Sequence, residues 1–137
     1  QARDMGAGRT VNERDAPDWD RAVMDLTDGQ GVDRVVEVGG AGTLQKSLEA
    51  VKIGGTVSLI GVLTSGEINP IPVMRKSVRL QGIYVGSRVM FESMNRAISA
   101  HKLRPVINRT FYFADATAAY HHMAAAGHFG KIVIKVS

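Results

Sequence analysis

Cysteine is absent from the 137 residues, which excludes disulfide bridges, thiolate metal ligands and cysteine nucleophiles together while leaving the redox compartment open. Long apolar runs are missing as well. No stretch approaches the roughly 18 residues of a transmembrane helix, and the opening QARDMGAGR lacks the apolar centre of a secretion signal. The expectation is a cytoplasmic protein without membrane contact. Aromatics make up only 6%, and the basic residues of the second half (Arg75, Lys76, Arg79, Arg88, Arg96, Lys102, Arg104, Arg109, Lys131, Lys135) are scattered, with no aromatic-interleaved run, which argues against nucleic acid. Acidic residues thin out along the chain. Residues 1–69 hold 7 Lys and Arg against 11 Asp and Glu, and residues 70–137 hold 10 against 2. A second half of that sign suits a phosphate-bearing small molecule, an acidic partner or plain solvent.

Chemistry-bearing clusters are scarce too. His121 and His122 are adjacent on one helical stretch and diverge, and His128 lies beyond Gly127, so helix surface and C-terminal charge compensation explain them. No Ser/His/Asp set or carboxylate pair stands out. Neither a catalytic group nor a metal set is expected here.

What is present is ordinary globular composition, 45% hydrophobic and 22% charged, in a length that fits an α/β core. The chain is organised around RVVEVGGAGTLQKSLEAVKIGGTVSLIGV, residues 34–62, which reads as a βαβ unit. Residues 34–38 and 56–62 are apolar and β-branched, as in parallel strands covered by helices on both faces. Between them Thr43 can cap a helix that carries Leu44, Leu48 and Val51 on one stripe. Both strands end in glycine, Gly39-Gly40 and Gly61, and a third, residues 80–85, runs into Gly86. Ligands of open parallel sheets sit at the carboxyl edge, where a missing side chain admits a flat ring or a phosphate. A nucleotide-type cofactor is the expectation.

In chain order, residues 1–6 look like the tail of a helix ended by Gly6, and the first residue is Gln rather than Met. A longer or trimmed chain is expected from this. Residues 9–12 suit a short strand, and Pro17 suits the first position of a helix with Trp19, Ala22, Val23 and Leu26 on one face. Pro72 to Ser77 is a short helical candidate. Ser87 is a plausible N-cap for a helix over residues 89–101, whose Met90 and Met94 read as core filler. Pro105 closes that region; residues 106–113 suit a strand, 115–126 a helix, and KIVIKV, 131–136, a strand.

VVEVGGAGT admits three readings. As a dinucleotide fingerprint G-x-G-x-x-G it fails, because Gln45 stands where the last glycine belongs and Ile60 to Val62 stand where an acid should hold a ribose. As the first motif of an S-adenosylmethionine methyltransferase, Glu37 to Gly42 comes close, but the next strand ends in LIGVL without an acid. The third reading is a tight turn, with Glu37 a satisfied polar residue.

The ordered strand endings EVGG, LIGV and YVGS, the segments MGAGRTVN and DLTDGQGVDRVVEVGG, and the ending HFGKIVIKV together resemble the cofactor domain of the medium-chain dehydrogenase/reductase superfamily, the zinc-type alcohol dehydrogenases and quinone oxidoreductases. The resemblance covers residues 3–136. It implies a partial Rossmann-type, doubly wound parallel sheet that lacks its first βαβ, with residues 9–12, 34–38, 56–62 and 80–85 as strands three to six. Residues 1–104 would be the cofactor-binding domain and residues 105–137 a strand-helix-strand returning to a catalytic domain outside this chain. It further implies NAD or NADP, with Val38 and Gly39 near the adenosine or nicotinamide ribose, Gly40 beside them among the cofactor-binding positions, Ile60, Gly61 and Val62 along the nicotinamide, and Ile83, Val85, Gly86 and Ser87 beside it. Lys131, whose place at a strand start suits solvent equally well, falls where the family often sets a basic residue on the pyrophosphate. For Arg88, phosphate contact and plain surface both stay open.

Departures from the family are equally definite. The first βαβ, which chooses NAD or NADP, is absent, as is the N-terminal domain where any zinc would be held. The 137 residues alone are expected to be inactive. The resemblance implies a homodimer through residues 68–86. A non-catalytic nucleotide-binding or oligomerisation module, whose glycine turns only serve packing, is the alternative.

Overall fold

The computed structural model describes residues 1–136. The chain divides into two compact units, Gln1–Val85 and the residues from Gly86 onward. The first unit runs α1 (Trp19–Leu26), β1 (Val32–Glu37), α2 (Ala41–Ala50), β2 (Val51–Leu59), α3 (Ile71–Arg75) and β3 (Arg79–Gly82). Its strands form one parallel sheet in the order β1-β2-β3, the partial Rossmann-type arrangement expected of the βαβ stretch. Register sets Val35, Val57 and Leu80 in one row. Against this row α2 lays Leu44 and Leu48, which with Val51, Val57 and Val78 form the core. Leu48 is 0% exposed, and burying such a side chain stabilises by about 1.5–3 kcal/mol.

Within the first unit α2 packs on β1 and β2 and α1 packs on α2, and Val36, which alternates to the opposite face from Val35, is 61% exposed. Three expectations meet a different outcome. Residues 9–12 form no strand. They have no ladder partner in the described sheet, and an extended segment without one is not stable as a strand. The N-cap of α2 is Gly40 and no side chain caps the helix, because Thr43 turns its hydroxyl to Glu37 instead. Strand β3 stops at Gly82; Ile83 keeps one backbone hydrogen bond to Leu59, and Ile83, Tyr84 and Val85 lie exposed.

The second unit contains α4 (Arg88–Ala100), β4 (Ile107–Tyr112), a single 3-10 turn (Phe113–Asp115), α5 (Ala116–Ala124) and β5 (Lys131–Lys135). Strands β4 and β5 pair in parallel, and α5, the crossover, packs on both. Phe111 and Ala119 are its buried apolar residues. Met90 and Met94 are exposed rather than core filler, because α4 buries no residue at all.

Candidate functional site: the carboxyl rim of the first sheet

Beyond their last paired residues the three strands of the first unit stay stitched together. The Glu37 carbonyl accepts from the N–H groups of Ile60 at 2.9 Å and Gly61 at 3.1 Å, the Gly39 carbonyl accepts from Leu63 at 3.2 Å, and the Leu59 carbonyl accepts from Ile83 at 2.9 Å. Val38, Ile60, Val62 and Ile83 therefore follow one another along a single edge, with Val85 two residues further on. All five are exposed, Val62 at 71% and Val85 at 81%. Val85 also sits at φ +34°, a left-handed conformation that costs a β-branched residue about 1–3 kcal/mol.

The glycines of this rim do something other than expected. A Cβ on Gly40, whose φ is +91°, would lie 2.9 Å from the Thr64 carbonyl oxygen and 3.1 Å from Val62 Cα; one on Gly61 would fall onto the carbonyl of Val38, and one on Gly39 onto Thr43. The space these residues vacate is filled by the chain itself, not left open for a ring. Glycine here lets the exits of β1 and β2 close on each other. Thr64 completes the closure, a residue that carries no sequence signal: its hydroxyl accepts from Gly42 N–H at 2.8 Å and donates to the Gly39 carbonyl at 3.2 Å, and its carbonyl accepts from Ala41 N–H at 3.3 Å.

Under the turn lies Glu37, 3% exposed. Its Oε1 accepts from Gly39 N–H at 2.7 Å, Gly40 N–H at 3.1 Å and the Thr43 hydroxyl at 2.5 Å, and Oε2 accepts from the Ser47 hydroxyl. Burial pushes this carboxyl up, but the hydrogen bonds from Ser47, Thr43, Gly39 and Gly40 outweigh it and hold the group below the ordinary carboxylate range. The satisfied polar residue of the turn reading is thus also the residue that ties turn and helix together.

The remaining predicted positions belong to the second unit. Gly86 has ordinary contacts with the Met90 side chain. The Ser87 hydroxyl caps α4, accepting from Met90 N–H at 3.2 Å, and Arg88 donates to Glu92 at 2.8 Å one turn on. Lys131 is exposed at the start of β5. His122 bonds Asn108 at 2.9 Å and stands 5.8 Å from the Phe111 ring and 5.9 Å from the His128 ring. Among the described residues no group of three or more His, Cys, Asp or Glu side chains gathers to hold a metal ion. A cavity of about 720 Å³ lies away from the rim, lined by Val11, Trp19, Val23, Leu26 and Val32 among others.

Comparison with known proteins gives the family. The family profile described as zinc-binding dehydrogenase matches residues 1–100. A zinc-type alcohol dehydrogenase-like protein of Schizosaccharomyces pombe is 32% identical over 98% of this chain and 41% of its own length. An L-threonine 3-dehydrogenase of Pyrococcus furiosus is 31% identical over 96% of this chain and 39% of its own. Among solved structures, a candidate alcohol dehydrogenase from Sinorhizobium meliloti superposes with a TM-score of 0.88 at 36% identity, covering 98% of this chain and 40% of that one. The chain spans about two fifths of the length of these relatives.

Proposed function

The chain belongs to the zinc-binding dehydrogenase family, and we propose that it is the C-terminal, cofactor-binding part of an NAD(P)-dependent alcohol dehydrogenase or quinone oxidoreductase. The observation that carries this reading is the exposed apolar edge of Val38, Ile60, Val62, Ile83 and Val85 beyond three parallel strands. Such an edge favours the flat face of a nicotinamide ring, whose burial removes apolar surface from water on both partners. A dinucleotide held at this rim would supply hydride-transfer chemistry toward a small alcohol or carbonyl compound. The rim's part is to orient the ring and exclude water, with Gly39, Gly40 and Gly61 setting its backbone. For Gly86, Ser87, Arg88 and Lys131 the support is family resemblance alone. Among the described residues no set of side chains gathers to hold zinc.

The free outer edge of β3 supports a homodimer through residues 68–86, since an unpaired strand edge seeks a partner. No described helix is long and apolar enough to cross a membrane. Calorimetric titration of the protein translated from the whole reading frame with NADH and with NADPH tests the proposal. Saturable binding of one of them is expected; absence of binding to both sinks it. Close packing at Gly39, Gly40 and Gly61 favours the second reading, a non-catalytic oligomerisation module, which predicts that second outcome.

A further inference from the structure

Glu37 is the one buried carboxylate of the rim, and its surroundings are built for it. Four donors converge on the two oxygens, two from the turn backbone and two from hydroxyls of α2. An ionised carboxylate offers acceptors only, so every donor is satisfied without a competing proton. The same residue's carbonyl holds Ile60 and Gly61. One residue thus joins the exit of β1, the start of α2 and the segment leaving β2. Its side chain points inward, below the exposed edge, and does not itself reach a ligand lying there.

We propose that Glu37 is a positioning residue for the cofactor rim: by accepting from Gly39, Gly40, Thr43 and Ser47 together, it fixes the backbone on which Val38 and Ile60 stand. This rests on the cofactor reading above. What matters is acceptor geometry and reach, not negative charge felt by the ligand. Glutamine at this position keeps Oε1 for the turn and sets its amide against Ser47, whose hydroxyl can rotate to accept. Aspartate keeps the charge but is one methylene shorter, and cannot span both the turn and α2.

The test is NADH binding by the full-length protein in three forms: parent, Glu37→Gln and Glu37→Asp, with Kd and stoichiometry determined separately. Glu37→Gln is expected to bind within about threefold of the parent, and Glu37→Asp roughly tenfold more weakly, the scale of one or two lost hydrogen bonds. A purely structural role would lower stoichiometry and Tm but leave the Kd of the folded fraction unchanged, and that pattern overturns the proposal. So does the reverse order, Glu37→Gln weak and Glu37→Asp like the parent, because charge would then be the active property. If Glu37→Asp fails to fold, Thr43→Val, which removes one donor to Oε1, replaces it with the same expected direction and the same overturning result. A parent that binds neither NADH nor NADPH defeats the cofactor reading itself and this proposal with it; a binding parent with unchanged variants defeats this proposal alone.

Discussion

Alanine at position 61 would set its methyl on the Val38 carbonyl, so the exits of β1 and β2 would have to move apart. The obstacle is backbone and cannot swing aside, which places Gly61→Ala at the upper end of the 1–3 kcal/mol typical of overpacking, about 3 kcal/mol. Urea unfolding should show a lower midpoint with an unchanged slope. Glu37 makes its own prediction in acid. Its folded pKa lies below the ordinary value, which is about 4.3 for an unfolded glutamate. The stabilisation is therefore complete above that value and fades as pH falls through the folded pKa. Glu37→Gln should flatten the fall in stability as pH drops below about 4.3; parallel curves for parent and variant would contradict the assignment.

At the scale of elements, α2 is held at both ends by groups distant in sequence. Glu37 and Thr64 secure its start, and Lys76, just past α3, donates to the carbonyls of Leu48, Glu49 and Val51 at its end. A lysine ammonium at a helix C-terminus satisfies orphan carbonyls and opposes the helix dipole. Lys76→Met should therefore cost about 1–2 kcal/mol, read as a lower thermal midpoint with the sheet retained. The βαβ core was legible in sequence because Leu44 and Leu48 repeat along one helix and Val35 and Val57 lie in unbroken apolar strands, both local patterns. Strand ends were not. Residues 9–12 and Ile83 to Val85 have strand composition, yet pairing decides, and pairing is not local. Thr64 reaches back 22 residues to Gly42, which no spacing rule anticipates. Glycines 39, 40 and 61 mark the strand exits in the sequence, but the same residue type serves open space and tight closure alike, and only the neighbours distinguish them. The exposure of Met90 and Met94 was hidden for a similar reason, since an apolar stripe states a need for cover without naming what covers it.

For the molecule as a whole, the two units are unequal. The first holds a core around Leu48 and Val57, whereas the second buries Phe111 and Ala119 and leaves α4 without a buried residue. Among the described residues the strand orders are β1-β2-β3 and β4-β5, which puts β3 at the margin of the first sheet. Light scattering on the full-length protein should report a dimer, and Gly82→Pro, at a β3 position whose N–H alternates away from β2 and where a side chain meets open space, should shift it toward monomer, since proline removes an outer-edge donor; a parent that is monomeric at working concentration would rule out pairing through residues 68–86. The central claim, that the apolar rim of the first unit receives the nicotinamide, is tested most directly by NADH affinity of Ile60→Asp against the parent. Ile60 is exposed, so the substitution should leave the thermal midpoint in place while weakening binding by at least about tenfold, the cost of setting a carboxylate where a ring must lie. Equal affinity in a folded Ile60→Asp protein would contradict the account.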